Sequence, residues 1–173
     1  MQAAKDSFFR ALQARLALVN AARTITVDGV TKPAILVAEN EPYPPGKLFF
    51  NAFYIHWLGA PAVREFSGTL APRYEQIAHI EYFVRGTADL QKPFADRGRL
   101  VGEMDRELVL ILFPGFTPKL NYSPSPPGPP VSLGSSVTWR FSPSLRTVTE
   151  REGSVLRRIA TVNVSFYLES IPN

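Results

Sequence analysis

Apolar residues in the first twenty positions recur at helical spacing: Phe8, Phe9, Leu12, Leu16 and Val19 fall on one face of a helix from about Asp6 to Val19, whose other face is polar. Asp6 or Ser7 can cap its start by accepting hydrogen bonds from free backbone amides. The β-branched run Thr24 to Val27 disfavours further helix, and Asp28-Gly29 supplies a turn because both residues tolerate positive φ. Pro33 to Ala38 is an apolar run of strand length. Leu48 to Trp57 carries large residues on both alternating faces, the pattern of a strand covered on two sides or partly by a neighbouring subunit. In Gln76 to Arg85 the alternation separates Ile77, His79, Glu81, Phe83 and Arg85 from Ala78, Ile80, Tyr82 and Val84, and the second set faces the core. Ser136 to Phe141 and Val155 to Leu168 also read as strands. In the latter, Ala160, Val162, Val164, Phe166 and Leu168 alternate with Ile159, Thr161, Asn163, Ser165 and Tyr167, giving one core face and one exposed or interfacial face.

Asp96 to Phe113 returns to helical spacing, with Leu100, Met104, Leu108, Ile111 and Leu112 as the apolar stripe. Burying Leu108 contributes about 1.5–3 kcal/mol, whereas an Arg99–Glu103 pair one turn apart adds roughly 0.2–0.5 kcal/mol, so the stripe decides where this helix docks. Gly98 and Gly102 each cost about 1 kcal/mol relative to alanine in a helix interior, which suggests a close backbone approach at that point. Two segments break regular structure. Asn40 to Gly46 contains three prolines and must be a loop. Pro114 to Pro130 contains seven prolines, can be neither helix nor internal strand, and is expected to be extended. It is either a stiff crossover packed on its own domain or an arm reaching a neighbouring protein through Phe116, Leu120 and Tyr122. The pattern predicts one α+β domain over residues 1–173: a mixed or antiparallel β-sheet packed against two main helices, with an extended Pro-rich arm.

Composition adds mostly exclusions. Apolar residues form 45% and charged residues 20% of the chain, ordinary globular values that argue against wholesale disorder. No apolar stretch approaches the roughly 20 residues of a membrane helix, so no membrane span is expected. The N-terminus lacks the pattern of a secretory signal, and synthesis in the cytoplasm is the default expectation. Zero cysteines remove disulfides and thiol chemistry. The net charge of +4 is mild and scattered, so DNA contact is expected to be incidental.

Candidate chemistry is sparse. His56 and His79 are the two histidines, each set alone in a strand without metal-ligand spacing. Glu103, Asp105 and Glu107 lie on the polar side of a helix, where carboxylates are normally solvated. Trp57 and Trp139 sit in strand patterns and read as core or interface anchors. No nucleophile elbow, phosphate-binding loop or dinucleotide fingerprint is present. No cofactor, metal or catalytic group is therefore assigned. An enzyme would need a constellation assembled from distant residues, such as Glu81 or Glu103 with His79 and an arginine around a concave pocket.

The order of segments carries a resemblance: an N-terminal helix with Phe8, Leu12 and Leu16, then PAILVAENE at Pro33 to Glu41, HIEYFVRGT at His79 to Thr87, the DRGRLVGEMDREL helix at Asp96 to Leu108, and a last strand ending TVNVSFYLE at Thr161 to Glu169. In size, element order and character the chain resembles the neck and tail-completion proteins of tailed phages and prophages, most specifically the tail terminators. That resemblance implies a non-enzymatic virion-tail component that assembles with itself into a ring of about six subunits by head-to-tail contacts, caps the tail tube and meets the head-tail connector proteins. The Pro-rich arm departs from the shortest members. Subunit contacts are commonly aromatic and Arg-rich at their centres, which makes Phe49, Phe53 and Trp57 on one strand face, Arg97, Arg99 and Arg106 on the helix, and Phe116, Leu120 and Tyr122 on the arm the candidate contact residues. A generic protein-interaction domain and a DNA-binding module are the alternatives.

Overall fold

The computed structural model describes residues 2–38, 48–65, 73–85, 93–112, 120–121, 128–129, 131–132, 137–140, 147–152 and 155–167. The chain opens with helix α1 (Gln2–Val19), followed by the short strands β1 (Thr24–Val27), β2 (Val30–Pro33) and β3 (Ile35–Val37). β1 and β2 form an antiparallel ribbon whose turn places Asp28 at φ 49° and Gly29 at φ 79°. Both central residues lie in the left-handed region that a two-residue hairpin requires, which is why Asp-Gly occupies it. Two long strands, β4 (Phe53–Glu65) and β5 (Arg73–Arg85), precede helix α2 (Pro93–Leu112). Then come β6 (Leu120–Asn121), β7 (Val131–Ser132), β8 (Val137–Arg140), β9 (Thr147–Glu152) and the long closing strand β10 (Val155–Tyr167).

Among the described residues the main sheet has six strands in the order β3-β4-β5-β10-β8, and β9 shares the outer edge of β10 with β8. β9 pairs with Val155 to Ala160, and β8 takes over from Asn163 to Phe166. β3 runs parallel to β4 and the other pairings are antiparallel. With two helices and a mixed sheet, the fold is α+β.

One face of this sheet builds the core. Phe53, Ile55 and Trp57 of β4 lie beside Tyr82, Ile80 and Ala78 of β5, which in turn lie beside Arg158, Ala160 and Val162 of β10. Phe8, Leu12 and Leu16 of α1 and Met104, Leu108, Ile111 and Leu112 of α2 are buried in the same core. Phe8 meets the Trp57 ring edge-on at 5.6 Å, and Lys5 sits 5.1 Å from that ring. The helices also pack on each other.

Several expectations are corrected. Leu48 to Asn51 is not strand. Asn51 adopts φ 62° and the strand begins at Phe53, running on to Glu65 through a register shift between Leu58 and Ala62. Gly59, at φ 61°, sits in that irregularity, and its carbonyl accepts a 2.8 Å hydrogen bond from Gln76 Nε2. Val19 is 39% exposed rather than part of the buried stripe of α1. Among the described residues, nothing lies within 4 Å of a Cβ built at Gly98 or Gly102, so no close approach is seen there. β9 was not foreseen. In the Pro-rich segment, Leu120–Asn121 forms a short ribbon with Val131–Ser132 and lies against α1, so the ends of the intervening stretch meet. The expected loop Asn40 to Gly46 lies outside the described residues, as do Phe116 and Tyr122.

Candidate functional site

The helices cover one face of the sheet, and among the described residues no helix covers the other. Alternation dictates what that open face carries: His56 and Leu58 from β4, Ile77, His79 and Glu81 from β5, Arg157 and Ile159 from β10. Leu58 is 39% and Ile77 43% exposed, high values for large aliphatic side chains in central strands. At one end Phe49 folds over Tyr54. The Phe49 amide donates to the phenol oxygen at 2.8 Å and the phenol donates to the Phe49 carbonyl at 3.1 Å. Burial lifts that phenol to about 12, and the Phe49 hydrogen bond offsets part of the rise.

At the centre a shallow open depression of about 170 Å³ is lined by His56, Leu58, His79, Glu81, Arg157 and Ile159. His56 and His79 are direct cross-strand partners. Glu81 is buried and accepts a hydrogen bond from Arg157 Nε, while Arg157 Nη1 reaches Glu150 Oε2 of β9 at 2.6 Å. His56 Nε2 lies 3.0 Å from Glu81 Oε2 but is not aligned as a hydrogen-bond donor to it. Burial pulls the Glu81 carboxyl upward, and the adjacent His56 and Arg157 outweigh that and hold it below the usual carboxylate range. Burial pushes His79 below the ordinary imidazole value, His56 adds to the shift, and Glu81 opposes it. The histidines are thus not isolated, as their positions in the sequence suggest. A two-residue alternation on each of three strands is the signal, but it becomes legible only once the register joins them.

The opposite side of the molecule is the outer surface of the helices. Leu18 is 88% exposed, and Val109 and Leu110 are 46% and 44% exposed. A hollow of about 410 Å³ between the helix ends is lined by Val19, Asn20, Glu103, Arg106, Glu107 and Leu110. Its floor is a closed polar network. Glu107 takes both Nε and Nη2 of Arg23, the latter at 3.0 Å, and Asn20 Nδ2 donates to its Oε1 at 2.6 Å. Nearby, Asp105 accepts from the Tyr82 hydroxyl and from Arg158, whose Nε lies 3.2 Å from Oδ1. Burial, then the hydrogen bond to Asp105, raise the Tyr82 phenol. The expectation of solvated carboxylates therefore holds for Glu103 and is corrected for Glu107 and Asp105, which tie α2 to the turn after α1 and to the sheet.

The candidate contact residues separate in the same way. Phe53 and Trp57 are spent in the subunit's own core, and Phe49 is half-buried at its margin, off the strand. Arg97 is buried and has a partner within the chain. Arg99 and Arg106 are exposed on α2, Arg99 3.7 Å from Glu103. Leu120 lies in the ribbon against α1. The exposed apolar residues Leu58, Ile77, Leu18, Val109 and Leu110 carry no signal in the sequence, because an aliphatic side chain in a strand or helix pattern reads as core until its face is known.

Of the acid–base constellation conceivable from sequence, Glu81, His79 and an arginine do converge, whereas Glu103 lies on the other side of the molecule. Among the described residues no group of three or more His, Asp and Glu side chains is arranged to hold a metal ion, and no helix is long and apolar enough to cross a membrane. Comparison with protein-family models and with curated proteins finds no match.

Proposed function

We propose that this protein is a non-enzymatic structural subunit of a phage or prophage tail, a tail terminator that closes into a ring at the head-proximal end of the tail tube. The observation that carries this reading is the pair of unlike surfaces on opposite sides of the subunit: the open sheet face around Leu58 and Ile77, and the outer helical surface around Leu18 and Leu110. A ring built by rotation requires two different, mutually complementary patches on each subunit. Each surface sets exposed aliphatic side chains beside charges of both signs: Arg157 with Glu81 and Glu150 on the sheet side, Arg99 and Arg106 with Glu103 on the helix side. Opposite signs can therefore be matched when the helical surface of one copy lies on the sheet face of the next. The order of elements adds the resemblance to tail terminators. It supplies the partners too, the tail tube and the head-tail connector.

A surface that acts on a small molecule is the second reading, favoured by the His56, His79, Glu81 and Arg157 cluster. The depression there is smaller than the roughly 300 Å³ at which ordinary ligand pockets begin, which ranks it lower. Native mass across a concentration series, with and without purified tail tubes, tests the first reading. A closed oligomer of about six copies or saturable capping of tube ends is expected. A chain that stays monomeric and leaves tube ends bare overturns it.

A further inference from the structure

His56 of β4 and His79 of β5 are direct cross-strand partners, and Glu81 follows His79 two residues later on the same face. We infer that His56, His79 and Glu81 bind a divalent transition-metal ion, zinc or copper, in the depression on the open sheet face. The inference stands apart from the ring, because all three donors belong to one chain.

Directly opposed residues on antiparallel strands hold their Cβ atoms about 4.5–5.5 Å apart, close enough for two imidazoles to reach one ion. Imidazole is the common protein ligand of zinc and copper, and a carboxylate often completes the set. Among the described residues, His56 Nε2 is a buried side-chain nitrogen with no hydrogen-bond partner, although Glu81 Oε2 lies only 3.0 Å from it. Two donors each about 2.0–2.2 Å from one metal, at an angle of about 90–110°, stand about 2.8–3.5 Å apart. His56 and Glu81 therefore already hold the spacing of neighbouring ligands without the alignment of a hydrogen bond. Arg157 Nε takes the other carboxylate oxygen, Oε1, and so orients Glu81 as partners behind a metal ligand do. Glu150 binds the same arginine. Two carboxylates thus share one guanidinium, and with neutral imidazoles the cluster keeps a net negative charge that favours a cation. As they stand, His56, His79 and Glu81 are not gathered into a set of three; the set closes when the His79 ring turns about its side-chain bonds toward the other two. The depression of about 170 Å³ is below the size of ordinary organic-ligand pockets, yet ample for an ion and the waters that fill its remaining positions.

Untagged, chelator-stripped protein is titrated with Zn²⁺ by calorimetry and with Cu²⁺ by electron paramagnetic resonance, in wild type, His56→Gln and His79→Gln. Far-UV circular dichroism confirms that each variant folds. Wild type should bind Zn²⁺ saturably, and each substitution should weaken that binding by at least about tenfold. The wild-type Cu²⁺ spectrum should carry coupling to both imidazole nitrogens, and each variant should lose one of them. Absence of saturable binding, or an affinity that survives either substitution, overturns the inference. A wild-type spectrum without coupling to a pair of nitrogens overturns it as well, whether or not the variants fold. None of these results touches the ring, which oligomer mass decides.

Discussion

Glu103 and Glu107 stand one turn apart on α2 and meet opposite fates. Glu103 is half-exposed and pairs with an exposed Arg99 at 3.7 Å, a geometry in which screening and side-chain entropy consume most of the attraction. Glu107 is buried and holds Arg23 by two nitrogens, with Asn20 as a third donor. Arg99→Ala should therefore change unfolding free energy by no more than about 0.5 kcal/mol. Glu107→Ala, which strands a largely buried guanidinium, should cost about 3 kcal/mol in the same denaturant titration. Proton linkage gives a second residue-scale prediction. The His79 pKa is depressed in the folded state, so below about 6.5 the unfolded chain takes up a proton that the folded chain does not. Stability then falls as pH drops from that value toward the folded pKa. Glu81 is also depressed; its contribution is present above the ordinary carboxylate range and is lost at lower pH, as its folded pKa is crossed. Monomer denaturation midpoints should decline in two successive windows on acidification, and His79→Gln should flatten the upper one alone.

At the scale of elements, burial sorted the chain much as its periodicity predicts. Met104, Leu108, Ile111 and Leu112 are fully buried, and Ala78, Ile80, Tyr82 and Val84 line the core side of β5. Leu108→Ala should accordingly cost between about 2 and 5 kcal/mol, measured by denaturant unfolding. What periodicity misjudged were positions governed by partners distant in sequence. The aromatic run Leu48 to Trp57 reads as one strand, yet Asn51 turns back at φ 62° with its amide bonded to the Phe83 carbonyl, and Phe49 closes over Tyr54. Hydrophobicity alone does not report such a turn, because the left-handed backbone at Asn51 leaves no mark on the apolar pattern. Asp105 and Glu107 looked solvated because Arg158 and Arg23 lie 53 and 84 residues away in the chain. The glycines of α2 show the reverse error. Gly98 and Gly102 suggest tight packing, but a Cβ at either position meets nothing within 4 Å among the described residues. Gly98→Ala and Gly102→Ala should each raise monomer stability, by about 0.5–1 kcal/mol. Loss of stability in either variant would show that the helix is held more closely than its open surroundings indicate.

At the scale of the whole molecule, the described residues include two exposed aliphatic surfaces separated by the thickness of a sheet and a helical layer. The sequence showed the alternation that creates the open face, but the register that gathers His56, His79, Glu81 and Arg157 on it depends on the order β4-β5-β10, which no local pattern states. The proposed ring joins the open face of one copy to the helical surface of the next, and this polarity can be tested by mixing. Leu58→Arg disables the sheet side and Leu110→Arg the helix side, so neither variant should assemble alone at a concentration where wild type does. Combined, they retain one intact contact between them, the helical surface of the first on the open face of the second. Native mass spectrometry of the equimolar mixture should then show a heterodimer and nothing larger; a mixture that stays monomeric, or variants that each still form closed rings, would contradict the head-to-tail account.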